Sequence, residues 1–302
     1  PTTTAQHREH LLEIACAYEG LIECYFNSGA NLFCLYSAVA SLNRAERAGP
    51  SAALARAYSS FGAIVGFVPL ETIARGYCHR AQAVASQVAN REAIAWVAVA
   101  TGVFEAGLGN FTEASCQFAE TTRLGHSIGD PRRVDDSDEN QIAVAYLKGH
   151  WQQGLATAER LLTSARLRDD WMMQGSALRG LAYGYLWTGR YEEAATCIAD
   201  LRGIRADELT RRSPLPHVDV PPLSALLHFR HGDLESARKE VAHGIDAVLI
   251  TSPMFYGIVF DYWTLAEVLL ELRAHQFGGN RALERIALKR LQGFARVFPI
   301  AQ

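Results

Sequence analysis

The chain has 302 residues, 49% of them hydrophobic and 20% charged, with a net charge of −3. That is enough apolar material for a sizeable core, yet longer than one compact core usually fills, so two domains or a repeat array are expected. A charge balance this close to neutral removes the electrostatic case for nucleic acid or an anionic membrane surface as partner.

In chain order, apolar residues recur at helical spacing and no strand pattern appears. The first unit, 7–48, runs through Tyr18, Leu21, Ile22 and Tyr25 to Gly29 and resumes from Leu32 to Ala45; Gly49-Pro50-Ser51 then breaks the chain and offers Ser51 as an N-cap. The second, 50–89, pairs Leu54–Ile64 with a helix through Tyr77 to Val88 after Gly66. In the third, 91–128, Gly102, Gly109, Phe111, Ala114 and Phe118 alternate small, turn and aromatic positions. A charge-dense stretch, Asp130 to Asn140, reads as a solvated connector that N-caps the fourth unit, 135–168, with its Gly149, Trp151, Gly154 and Ala158. The fifth unit, 171–207, contains LRGLAYGYLWTGRYEEAATCI (Leu178 to Ile198). A connector with four prolines (Pro214, Pro216, Pro221, Pro222), Arg202 to Pro222, leads to the sixth, 218–248, with Ala225, Gly232, Leu234, Ala237 and Val241. The seventh, 255–298, joins Phe255–Arg273 to Arg281–Val297 without a matching glycine.

Leu178, Leu181, Ala182, Tyr185, Gly189, Tyr191, Ala194 and Ile198 match the tetratricopeptide-repeat pattern. Equivalent glycines at 29, 66, 109, 149, 189 and 232 lie 37 to 43 residues apart. The expected fold is therefore all-α: a single domain over 1–302, a right-handed superhelix (α-solenoid) of about seven tetratricopeptide-like hairpins with a period near 40 residues. Such stacks leave end faces uncovered, and an exposed C-terminal face favours self-association into a homo-oligomer.

No catalytic constellation accompanies this pattern. Gly-Lys never occurs, so no phosphate-binding P-loop exists, and HExxH and GxSxG are absent. His7/His10 and His228/His231 are spaced i,i+3 without an evident third ligand, and Asp135, Asp136 and Asp138 lack the glycine and glutamate of a calcium loop. The expectation is a non-enzyme with no cofactor and no metal. Cys16, Cys24, Cys34, Cys78, Cys116 and Cys197 form no CxxC and read as reduced, buried thiols of a cytoplasmic protein. The longest uncharged run, Cys24 to Asn43, is too polar to span a membrane. PTTTAQHREH lacks a signal-peptide core and begins without methionine, so a fragment of a longer multidomain chain is expected.

In the tetratricopeptide class the first helix of each unit lines a concave face. By that resemblance the face is formed by Glu19, Glu23, Phe26 and Asn27, then Trp96, Val99 and Val103, then Asp136, Glu139, Ala143 and Tyr146. Arg179, Tyr183, Leu186 and Trp187 follow, and then Leu226, Phe229 and Arg230. Arginine and tryptophan are the expected anchors for a peptide or a small ligand. The same aromatics could equally pack between helices.

Three segments add to the repeat: SLNRAERAGPSAALARAY (Ser41 to Tyr58), IARGYCHRAQAVA (Ile73 to Ala85) and RLQGFARVFPIAQ (Arg290 to Gln302). With the period near 40, they resemble the C-terminal repeat region of bacterial STAND-like signalling ATPases of the AAA type, linked to an adenylate/guanylate cyclase. That resemblance implies a regulatory sensor module that binds a protein or peptide partner, the ATPase or cyclase domain of its own chain, or a small-molecule effector. A stand-alone scaffold is the alternative, and a helical enzyme or cofactor-binding domain a third reading.

Overall fold

The computed structural model describes residues 5–66, 70–205, 216–250, 256–277, 281–298 and 300. Among them are fourteen α-helices and no strand: α1 Ala5–Asn27, α2 Asn31–Ala48, α3 Ala52–Gly66, α4 Glu71–Val88, α5 Arg91–Gly107, α6 Phe111–Ile128, α7 Pro131–Leu147, α8 Trp151–Leu167, α9 Trp171–Trp187, α10 Tyr191–Arg205, α11 Pro216–Arg230, α12 Leu234–Ile250, α13 Val259–Ala274 and α14 Arg281–Val297. From α1 to α6 and from α8 to α14, helices adjacent in sequence pack on one another, and α3 also packs on α5, and α11 on α13. The chain divides into two compact units at Ser137/Asp138, inside α7.

Hairpin turns are the most regular feature. Gly29, Gly109, Gly149, Gly189 and Gly232 all have φ between 68° and 83°. At each, the next residue's N–H donates to a carbonyl five residues back, as Arg190 does to Tyr185 at 2.9 Å and Asp233 to His228 at 2.9 Å. This 6→1 bond satisfies a carbonyl the helix end leaves open, and the left-handed residue before it favours glycine. Gln276, at φ 56°, takes that place before Phe277, whose N–H donates to Leu272, so the turn of the last hairpin forms without glycine. Gly66 departs from the expectation. It is the last residue of α3, has no positive φ, and lies against the Phe104 ring, so its smallness serves packing and not the turn. At Gly189 an added Cβ would meet nothing within 4 Å, so any penalty there is conformational. Gly189→Ala is expected to cost about 1–2 kcal/mol and Gly189→Asn much less, read from urea denaturation; equal stability of all three would contradict the turn.

Both connectors are shorter than the sequence suggests. Asp130 does act as the N-cap, its carboxylate accepting from Arg133 N–H at 3.1 Å, but the helix begins at once with Pro131, a residue suited to the first helical position. The rest of the supposed loop is thus the first half of α7, with Asp135, Ser137, Asp138 and Asn140 buried. Burial is tolerated because the groups are paired: Ser137 donates to the Phe118 carbonyl at 2.8 Å, and Asp138 meets Arg160 at 3.2 Å. In the second connector α10 continues to Arg205 and α11 starts at Pro216, with Pro221 and Pro222 inside it. Pro214, and Phe255 further on, lie outside the described residues.

In the first unit, small residues let helices approach closely. Ala55, Ala81, Ala85, Ala93 and Val97 form one cluster, and Phe118 is fully buried over Gly102. Ser51 accepts from Leu54 N–H at 3.1 Å, as its place after the Gly49-Pro50 break suggests. In the second unit Tyr146 fills the equivalent place. Its ring covers Gly154, its hydroxyl donates to the Gly180 carbonyl at 2.9 Å, and Gly184 closes the slot. No described helix is long and apolar enough to cross a membrane.

Candidate interaction surfaces

The fifth-unit residues converge on one carboxylate. Arg179 and Tyr183, one turn apart on α9, both reach Asp261 on α13: Arg179 Nη2 donates at 2.7 Å to one oxygen and Tyr183 Oη at 2.6 Å to the other. Arg179 also donates to the Gly257 carbonyl at 2.7 Å, in the 3₁₀ turn Tyr256–Ile258. Asp261 is fully buried and the Tyr183 hydroxyl is held well above the ordinary tyrosine range, first by burial and then by the Asp261 charge. A carboxylate here is stable because both oxygens are met by donors, one of them charged. Asp261 escapes the pattern reading; its signal is a lone acid directly after an apolar run ending in Val259-Phe260.

Around this node Tyr146, Trp151, Tyr183, Trp187 and Phe260 form an aromatic cluster. Trp187 stacks on Tyr183 with centroids 4.9 Å apart and meets Trp151 at 4.9 Å and Phe260 at 5.4 Å. Tyr183, Leu186, Ala143, Tyr146 and Leu226 are buried, whereas Trp187 and Trp151 keep partial exposure. Glu139 accepts from Ser176 Oγ at 2.5 Å, and Tyr256 Oη donates to Asn140 Oδ1 at 3.0 Å. Farther along, Arg230 pairs with Glu267 at 2.9 Å, and Phe229 meets the His275 ring edge-on.

In the first unit, Glu19 pairs with Arg56 at 2.8 Å and Glu23 with Arg132 at 3.2 Å. Arg133 lies over the half-buried Trp96, 4.4 Å from its ring centre, and pairs with Asp136 at 2.7 Å. Val99 is buried, Val103 and Phe26 half-buried, and the Asn27 side chain lies outside the described residues. Each sequence-derived candidate with a charge therefore has a counter-ion or hydrogen-bond partner inside its own unit.

The cysteines differ from expectation. Cys34, Cys78 and Cys197 are buried, but Cys16, Cys24 and Cys116 are exposed, and the Cys16 thiol accepts from Arg56 Nη2 at 3.6 Å. Burial pushes the Cys78 and Cys197 thiols up to about 11, which makes them poor nucleophiles. Among the described residues no three His, Cys, Asp or Glu side chains are grouped to hold a metal.

One surface was not singled out by the sequence. On α2 the buried stripe of Cys34, Ser37, Ala38 and Ser41 faces α1, with Ser41 donating to the Ala15 carbonyl at 2.9 Å. The opposite stripe is apolar and open: Leu32 is 82% exposed, Tyr36 63% and Phe33 61%, with Leu35 and Val39 beside them. No protein-family model matches the chain, and no curated protein matches it either.

Proposed function

We propose that the chain is a right-handed α-solenoid of about seven tetratricopeptide-like hairpins, with the period near 40 residues noted above. Its role in this reading is that of a non-catalytic module binding a protein or peptide partner. The open stripe on α2 carries the proposal. Leu32, Leu35, Tyr36 and Val39 recur at i, i+3, i+4 and i+7 on a helix whose other face is already buried. A contiguous exposed apolar patch on a packed array marks a docking surface, and this spacing suits a partner helix. Trp187, Phe229 and Arg230 in the second compact unit and, separately, Trp96 and Glu23 in the first keep accessible surface and are the concave-face candidates for a peptide or small effector. The regulatory role beside a signalling ATPase or cyclase rests on the resemblance of the three segments from Ser41, Ile73 and Arg290.

The test compares affinity capture by the wild-type chain, by L32E/Y36E and by W187A. A protein retained by the wild type and lost with L32E/Y36E, while helical circular dichroism is unchanged, supports α2; loss with W187A alone moves the site to the concave face. Capture indifferent to both, or a stoichiometric cofactor in the purified protein, overturns the reading.

A further inference from the structure

The last helix carries an unusual charge pattern. Helix α14 holds Arg281, Arg285, Lys289, Arg290 and Arg296 against one acid, Glu284, which is buried and paired with Arg273 at 3.1 Å. It contributes +4 to a chain of net charge −3, leaving −7 on the remainder. Arg281, Arg285, Lys289 and Arg296 are exposed and, at 100° per residue, fall within one narrow stripe, opposite the buried Ala287 and Phe294. The stripe runs about 22 Å along the axis.

Several exposed cations elsewhere have an acid three residues away, Arg123 with Glu120, Arg190 with Glu193 and Arg238 with Glu235, whereas α14 gathers four exposed cations on one stripe. Among the described residues no carboxylate lies within 4.0 Å of Arg281, Arg285, Lys289 or Arg296. The arrangement opposes helix stability twice. Arg281/Arg285 and Arg285/Lys289 are like-charge i,i+4 pairs, and Arg281 and Arg285 sit at the helix end whose dipole is already positive. An external anion along the stripe removes both penalties.

We propose that the exposed face of α14 docks an acidic helical segment of a partner protein. Carboxylates at i,i+4 recur about every 6 Å along a helix, the spacing of Arg281, Arg285 and Lys289, with Arg296 about two turns farther on, and the three arginines of the stripe offer two-pronged hydrogen bonding to them. The −7 of the remaining chain disfavours long polyanions, such as a membrane or a nucleic acid, that extend past the stripe, and tolerates a short acidic helix that ends with it. This surface is separate from α2 and fails separately: L32E/Y36E leaves it intact.

The experiment is fluorescence anisotropy of the full chain with a labelled peptide of about four helical turns carrying one glutamate per turn. The same peptide with glutamine is the control. Wild type is expected to bind the glutamate peptide at least about tenfold more tightly than its control, with affinity falling as salt rises. R281E/R285E/K289E is expected to erase that difference while keeping a melting temperature near the wild-type value, because the reversal relieves the dipole penalty and leaves the i,i+4 pairs like-charged as before. R281Q/R285Q provides the same reading with a smaller loss, and R123E leaves binding unchanged. Equal binding of the two peptides, retention of the difference in the reversed variant, or tighter binding of phosphatidylserine vesicles or a single-stranded oligonucleotide through the same residues would overturn the proposal.

Discussion

Asp261→Ala is expected to cost roughly 3–5 kcal/mol, the largest single-residue loss in the second unit. The reason is the state of what remains. Arg179 and Tyr183 direct three of their hydrogen bonds to Asp261 and the Gly257 carbonyl, at 2.6–2.7 Å, and both sit against the aromatic cluster. Removing the carboxylate leaves a guanidinium and a buried hydroxyl without their main acceptor, in a place water reaches poorly. Asp261→Asn retains an acceptor for Tyr183 but no charge for Arg179, so its loss should be smaller. Combining Asp261→Ala with Arg179→Met should recover part of the stability, since it removes the orphaned charge. Urea denaturation of the four proteins checks this. A loss under about 1 kcal/mol for Asp261→Ala would show the site to be hydrated.

Glycine substitutions should split in sign according to what lies above each one. At Gly184 a Cβ would fall on the Tyr146 hydroxyl and 2.6 Å from Leu155 Cδ2, inside the slot that also uses Gly154 and Gly180. Tyr146 cannot retreat, because its hydroxyl is bonded to Gly180 and its ring is buried among Trp151, Trp187 and Phe260. Gly184→Val is therefore expected to lose about 3 kcal/mol or more, overpacking far outweighing any gain in helix propensity. Gly203 sits in α10 with nothing within 4 Å, so Gly203→Ala should gain about 0.5–1 kcal/mol from the helix term alone. Paired thermal melts decide it: if Gly184→Val melts no lower than wild type, Tyr146 does not fill the slot described.

How much of this was legible depends on the range over which the cause acts. The helices, and the turns at Gly29, Gly109, Gly149, Gly189 and Gly232, follow from local chemistry: helical periodicity, capping groups such as Ser51 and Asp130, and one glycine that tolerates positive φ. The stretch from Asp130 to Asn140 misled for the opposite reason. Its composition is that of a solvated loop, and only partners distant in sequence, such as Phe118, Arg160 and Tyr256, make a buried helix of it. Gly66 misled likewise, since a glycine beneath an aromatic ring and a glycine at a turn look alike in one dimension.

The candidate surfaces divide along the same line. Sequence alone determined that the chain is all-helical and built from hairpins, and it picked out Arg179, Tyr183 and Trp187 as unusual on their helix. It could not say what they touch. Tertiary structure decided that Arg179 and Tyr183 answer to Asp261, some 80 residues away. It also decided that the Leu32 to Val39 stripe faces solvent and that, among the described residues, no carboxylate lies within 4.0 Å of Arg281, Arg285, Lys289 or Arg296. Helical spacing assigns residues to faces. Which face is covered, and by what charge, depends on packing between segments far apart in the chain, and that information appears only once the helices have met.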